Sequence, residues 1–156
     1  MKKLIILLAF ALLQGCYTTK LVTDDFSGLT TLKMENNQLD YNGPAFDFYY
    51  DVELKLKLTL GYPTWHFGEY VRIYIDGQLF TLEPFDVKRI VTRGGVNEIM
   101  YFKPSRKFLA ALYSGKKAKM RVVNDQGMYN AYDFAGVNLK RCREFLQEAG
   151  RVFASK

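Results

Sequence analysis

The sequence predicts a mainly β fold, an antiparallel β-sandwich or partly open barrel of about eight or nine strands with two short helices. Apolar and polar residues alternate from Phe48 to Leu60, and this period of two is typical of strands. The dipeptides Asp76-Gly77 and Gly94-Gly95 are typical of tight hairpin turns, and aromatic residues make up 15% of the chain. Closely spaced hairpins of this kind favour a sandwich or a barrel.

The first strands are predicted at residues 21–26 and 30–34, with polar turns at residues 35–38 and 42–44. Residues 48–60 then predict one long strand whose even-numbered residues face the core. Because this run is longer than a usual strand, we expect it to bend or to contribute to both sheets.

The remainder of the chain predicts three hairpins and two helices. The hairpin strands lie at residues 70–76 and 78–82, at residues 87–92 and 96–102, and at residues 119–123 and 128–134. Ser105 is the predicted N-cap of the first helix, and Gly115 ends it. Asn138 is the predicted N-cap of the second helix, which covers residues 139–149 and ends at Gly150.

The N-terminus combines a positive, an apolar and a cysteine-containing segment. Lys2 and Lys3 precede an apolar run at residues 4–13, and the sequence Leu13-Gln14-Gly15-Cys16 follows. An apolar run this short does not span a bilayer and is typical of an export signal. The whole segment resembles the signal peptide and lipobox of bacterial lipoproteins.

The resemblance implies a location and a division of the chain. It implies that Cys16 carries acyl chains, which anchor a protein to a membrane. Tyr17 stands where an aspartate would imply retention at the inner membrane, so we expect the outer membrane, with the domain facing the periplasm or the cell surface. The expected parts are a signal peptide at residues 1–15, a lipidated cysteine with a short tether at residues 16–20, and one β-rich domain at residues 21–156.

Composition and charge narrow the set of partners. The formal net charge of +6 falls to +4 without Lys2 and Lys3, which leaves 20 basic against 16 acidic side chains. This mild excess fits contact with anionic headgroups or cell-wall carboxylates, but a solvated basic surface is the favoured explanation. Nucleic acid is not expected as the partner of an exported chain. With Cys16 assigned to lipid, Cys142 has no partner, and a disulfide framework is therefore excluded.

The sequence contains no pattern that indicates catalysis. His66 is the only histidine, and Cys142 lies on the apolar stripe of the second predicted helix, where an inert packed thiol is expected. One histidine and scattered carboxylates do not form a zinc or calcium site. We therefore expect a non-enzymatic protein with no metal and no cofactor, and we keep a cell-wall hydrolase that uses Cys142 and His66 as a remote alternative.

Two groups of residues are candidates for binding. The first is an aromatic loop and its flanks, which either recognises a sugar or partner protein or packs on the core. It comprises Tyr62, Trp65, His66, Phe67 and Tyr70. The second is a basic surface on the two helices, and it comprises Arg106, Lys107, Lys140, Arg141 and Arg143.

These features predict a binding or assembly accessory protein of the cell envelope, with a membrane and an envelope protein or cell wall as its partners. The alternative is an inhibitor or immunity lipoprotein that blocks a lytic enzyme by inserting a loop into its cleft. A protruding loop at residues 61–70 would favour that alternative, whereas a loop held against the core would favour an accessory protein.

Overall fold

The computed structural model describes residues 18–25, 27, 29–39 and 43–153. The expectations for the signal peptide, Cys16, Tyr17 and Asn42 lie outside the described residues. Within them the chain forms ten strands and two helices, which confirms a mainly β fold. The strands are β1 (Thr18–Thr23), β2 (Thr30–Glu35), β3 (Ala45–Tyr50), β4 (Leu54–Tyr62), β5 (Gly68–Ile75), β6 (Gln78–Leu82), β7 (Asp86–Thr92), β8 (Gly95–Phe102), β9 (Ala118–Asn124) and β10 (Tyr129–Phe134). The helices are α1 (Arg106–Ser114) and α2 (Gly136–Phe153).

The strands form two antiparallel sheets that do not close into a barrel. The order is β1-β2-β3-β4-β8-β7 in the six-stranded sheet and β10-β9-β5-β6 in the four-stranded sheet. On one face of each sheet, alternate residues of neighbouring strands are fully buried. Examples are Leu58 and Met100 in the six-stranded sheet and Ile73 and Met120 in the four-stranded sheet. These residues belong to one hydrophobic core, so the fold is the sandwich rather than the partly open barrel.

The long strand predicted at residues 48–60 is wrong, because this segment is a hairpin. The end of β3 at Tyr50 lies opposite the start of β4 at Leu54. Between them Asp51 Oδ1 accepts hydrogen bonds from the backbone N–H groups of Val52, at 2.6 Å, and Glu53, at 3.2 Å. This local turn interrupts a sequence that keeps its alternation on both sides. Val52, which the alternation places in the core, is 84% exposed.

The two helices differ in how well the sequence predicts their ends. Helix α1 follows the prediction, since Ser105 Oγ accepts a hydrogen bond from the N–H of Phe108 at 3.2 Å and Gly115 ends the helix. Helix α2 begins earlier, at Gly136, and continues through Gly150.

Asn138 is therefore not the N-cap of α2 but a link between elements. Its Oδ1 accepts a hydrogen bond from the N–H of Ala135, as a side chain in the first turn does in a capping box. Its Nδ2 donates to Asn37 Oδ1 at 2.9 Å and to the carbonyl of Gln38 at 2.8 Å. The start of α2 is thus bound to the turn after β2, and Phe145 of α2 stacks on Phe48 with ring centroids 5.4 Å apart.

The remaining hairpins follow the prediction. Asp76 and Gly77 have φ of 46° and 85°, as a type I′ turn requires, and they join β5 to β6. The β7–β8 and β9–β10 hairpins also form.

The strand pairs of the six-stranded sheet differ in length. β7 and β8 pair over their whole facing length, from Asp86 opposite Tyr101 to Thr92 opposite Gly95. β2 and β3 pair only at Leu32, Lys33 and Met34 of β2, and an isolated bridge from Gln38 to Ala45 lies beyond them. The β2–β3 seam is therefore the shortest in this sheet.

Candidate binding site at the aromatic loop

The aromatic loop, residues 63–67, connects the two sheets. It leaves β4 of the six-stranded sheet at Tyr62 and enters β5 of the four-stranded sheet at Gly68. Tyr62 lies opposite Val96 of β8, which in turn lies opposite Val91 of β7. The loop therefore emerges at the end of the six-stranded sheet that also carries the β7–β8 turn.

A buried carboxylate on the core face of β8 binds the backbone of the loop. Glu98 of β8 has no exposed surface, and its Oε1 accepts hydrogen bonds from the backbone N–H groups of His66, at 2.8 Å, and Phe67, at 2.7 Å. Its Oε2 accepts a third from Gly68 at 2.9 Å. Within the described residues Glu98 forms no ion pair, so backbone N–H groups rather than a cation are the partners of its oxygens.

The backbone of the loop has little freedom to rearrange. Phe67 has a φ of 54°, a left-handed conformation that is unfavourable for a residue with a side chain. At Gly68 a Cβ atom would lie 3.1 Å from Val122 Cγ1 and 3.3 Å from Met100 Sδ, so a larger residue would require these buried side chains to shift. Such strain persists where the surrounding structure fixes it, and it is common at binding sites.

The five predicted residues of this group point in different directions. Phe67 is 48% exposed, and its ring centroid lies 6.2 Å from that of half-buried Trp65. His66 turns back to the four-stranded sheet, with Nε2 3.3 Å from the carbonyl oxygen of Val122. Tyr62 packs beside His66, with the ring centroids 5.2 Å apart. The loop thus both packs on the core and leaves an aromatic surface outside.

Burial also sets the chemistry of Tyr62. Its hydroxyl oxygen lies 3.4 Å from that of Tyr132, and burial is the main reason that the pKa of Tyr62 is raised well above its ordinary value. The fifth predicted residue, Tyr70, lies on β5 and not in the loop. The guanidinium of Arg72 is 5.3 Å from its ring centroid. Tyr62 and Tyr70 are therefore separate from the exposed rings of the loop.

The sequence analysis missed Arg89, which the fold brings to this site. Its guanidinium carbon lies 5.3 Å from the ring centroid of Phe67, within the range of a cation–π interaction. Arg89 is also the cross-strand neighbour of Glu98. The Glu98 oxygens are directed to three backbone N–H groups, and Arg89 lies on the aromatic ring instead. No spacing in the sequence relates these residues, since they meet through the pairing of β4, β8 and β7.

The five predicted basic residues lie on the two helices, which pack against each other. Arg106 and Lys107 are exposed in the first turn of α1. On α2, Lys140 is exposed and forms an ion pair with Glu144 at 3.7 Å. Arg141 and Arg143 of the same helix are half-buried. The basic surface stays a prediction.

Cys142 and His66 do not form an open catalytic pair. Cys142 has no exposed surface and lies in the core with Leu139 and Phe145. Asn37 Nδ2 donates a hydrogen bond to its Sγ at 3.5 Å, and burial raises the pKa of the thiol to about 12. A buried, protonated thiol is a poor nucleophile.

The described residues also contain no cluster of three or more histidine, cysteine or acidic side chains that could hold a metal ion. Neither α1 nor α2 is long and apolar enough to cross a membrane.

Comparisons with known proteins show a weak similarity to a solved structure. No protein-family model and no curated protein matches the chain. Among solved structures, the chain is similar to invasion associated protein B from Bartonella henselae, with 14% sequence identity and a TM-score of 0.44. The match covers 85% of this chain and 96% of that chain.

Proposed function

We propose that this protein is a non-enzymatic binding module of the cell envelope, and that the aromatic loop is its recognition element. The observation that carries the proposal is the fixed backbone under an exposed aromatic surface. Glu98 holds three consecutive N–H groups of the loop while Phe67 remains half exposed. A loop ordered before it meets its partner loses less conformational entropy on binding.

The contacts of the loop favour an accessory module over an inhibitor. An inhibitor that enters an enzyme cleft requires a loop that projects from the domain. Here residues 63–67 form a short connection, and both His66 and Gly68 are bound to the sheets. The outward surface consists of the exposed ring of Phe67 and the half-buried ring of Trp65, with Arg89 beside Phe67. Aromatic and arginine side chains are enriched at the centres of protein interfaces.

The module is proposed to be anchored to the outer membrane through Cys16. Strand β1 begins at Thr18, inside the segment that the sequence analysis assigned to a tether. Two residues span at most about 7 Å when extended. Lipid on Cys16 would therefore hold the six-stranded sheet close to the bilayer and limit the partners to those at the same membrane.

The anchor is tested by Cys16→Ala. We expect this variant to move from the membrane fraction to the soluble fraction, because the acyl chains would supply the membrane affinity. A variant that stays with the membrane and keeps its wild-type mass would contradict lipidation.

The recognition role is tested by photo-crosslinking in cells. A crosslinking amino acid at Phe67 is compared with the same group at Tyr113 of α1, since both side chains are 48% exposed. We expect one envelope component to be captured from position 67 and not from position 113. Equal capture from both positions, or no capture from position 67, would contradict a recognition role for the loop.

A further inference from the structure

Strand β7 forms an exposed edge of the sandwich. It is the last strand of the six-stranded sheet, and every residue except Val87 is exposed. Val91 is 76% exposed although it shares a face with buried Val96, and Ile90 on the opposite face is 48% exposed. The edge strands of the four-stranded sheet, β6 and β10, each have buried residues. Val87 packs against the core at one end of β7, and from Lys88 to Thr92 neither face of the strand is covered.

The free edge of β7 is suited to pair with another strand. Residues 86–92 pair with β8 without a register shift and contain no proline. Within the described residues no strand pairs with the other edge of β7, so alternate N–H and C=O groups along it are directed outward. An extended peptide binds to such an edge through backbone hydrogen bonds, and its side chains give the specificity.

The charge of this edge is positive and uncompensated. Lys88, Arg89 and Arg93 are exposed, and none forms an ion pair with a carboxylate of the described residues. Asp86 is the only acidic residue between positions 86 and 93. Glu98, the carboxylate opposite Arg89, is directed to the loop backbone. Positive charge that no carboxylate of the described residues neutralises favours an acidic partner.

A second copy of the chain fits this edge poorly. Antiparallel pairing of two copies over the full length of β7 would place Arg89 opposite Arg89, and like charges opposite each other destabilise a sheet. Cationic side chains on an edge strand are a common protection against self-association.

We propose that β7 binds an extended acidic segment of a partner protein by strand addition beside the aromatic loop. Successive side chains of the added strand lie on opposite faces of the sheet. Carboxylates on one face pair with Lys88, and apolar side chains on the other face pack on Val91 and Phe67 beside Arg89, while Arg93 after the end of β7 adds to the positive charge. This inference rests on the proposed function, since it identifies the class of partner that the aromatic loop would recognise.

The test uses the full-length protein in detergent and a blocked peptide that alternates glutamate and valine. A peptide that alternates lysine and valine is the comparison ligand. We expect the acidic peptide to bind and to slow amide hydrogen exchange at residues 86–92, because their outward N–H groups become bonded. We expect the basic peptide to do neither.

A pair of charge-reversed variants tests which surface is responsible. Lys88→Glu with Arg93→Glu leaves Arg89 on the Phe67 ring, and we expect it to weaken binding of the acidic peptide about tenfold. The control, Lys116→Glu with Lys117→Glu, changes the net charge equally on an exposed turn between α1 and β9. We expect it to leave the affinity unchanged.

Three results would contradict strand addition at β7. The first is unchanged hydrogen exchange at residues 86–92 with millimolar acidic peptide, and the second is equal weakening of peptide binding by both double variants. The third is protection of residues 86–92 that rises with protein concentration in the absence of peptide, since that indicates self-pairing. Specific capture from position 67 together with any of these results would leave the proposed function standing and remove only the inference about β7.

Discussion

The carboxyl group of Glu98 has no exposed surface, and it fixes the backbone conformation of the aromatic loop. Its two oxygens accept three backbone hydrogen bonds. We expect Glu98→Gln to lower the free energy of unfolding by about 1–3 kcal/mol, because the amide NH₂ replaces one acceptor and faces N–H donors. Urea denaturation measures the change, and hydrogen exchange at His66 and Phe67 should accelerate more than exchange in β9.

The matched control for this prediction is Glu83→Gln, which removes the same charge from an exposed position. A surface change of this kind usually alters stability by less than about 0.5 kcal/mol. Equal effects of the two variants would contradict a special role for the carboxylate of Glu98.

Asp76 gives a prediction about pH. Its carboxylate accepts hydrogen bonds from the backbone N–H groups of Lys116 and Lys117, and these hold the pKa of Asp76 below its ordinary value. A lowered pKa stabilises the fold above the unfolded pKa of about 3.9, and this contribution is lost as the pH falls through the folded pKa. We expect Asp76→Asn, which keeps an acceptor and suits the turn, to have a lower Tm at pH 7 and a Tm close to that of the wild type in acid. A Tm difference that does not change with pH would contradict the argument.

At the scale of elements, β3 and β4 supply a direct test of the hairpin. Leu56 is fully buried, whereas Val52 is in the turn. A single long strand places both side chains in the core. We expect Leu56→Asp to abolish cooperative folding because it buries an unpaired charge, and Val52→Asp to change stability by less than about 0.5 kcal/mol. Thermal unfolding followed by circular dichroism measures both, and similar losses in the two variants would contradict the hairpin.

The same segment shows what the sequence predicts and what it does not. Alternation identifies the buried face of β4 correctly, because burial of one face acts on every second residue. It does not reveal the turn, since Asp51 bonds its own neighbours without breaking the pattern. Asn138 is a similar case: the residue type favours a cap, but its partners, Asn37 and Gln38, are about a hundred positions away in the sequence.

The candidate site is harder to predict from the sequence than the strands, because its contacts also join residues that are distant in the sequence. Aromatic residues mark the loop in the sequence, but the acceptor beneath it is supplied by β8 and the cation beside it by β7. Glu98 and Arg89 look like ordinary strand residues until the register of the sheet is known. A local pattern therefore predicts the position of the loop and not its rigidity.

At the scale of the whole molecule, one core joins both sheets and α2, and it encloses Cys142. In a Cys16→Ala background we expect alkylation of Cys142 with increasing urea to coincide with the fluorescence change of Trp65, because small domains usually unfold in one step. Trp65 reports on the loop and Cys142 on α2, so the two probes are independent. Alkylation at a lower urea concentration than the fluorescence change would indicate that α2 opens separately.

The short β2–β3 seam has a mechanical consequence. The proposed anchor lies next to β1 and the proposed docking edge is β7, and these are the two outer strands of one sheet. Tension between a membrane and a bound partner would therefore cross every seam of that sheet. The β2–β3 seam has three register pairs, and beyond them the Gln38–Ala45 bridge and the backbone hydrogen bonds from Phe46 to Asn37 and from Leu39 to Pro44 also hold it. Because this seam is the shortest, it would carry the greatest load per register pair. Under such a pull we expect the β1–β2 hairpin to separate first, held back mainly by the buried side chains of Leu32 and Met34.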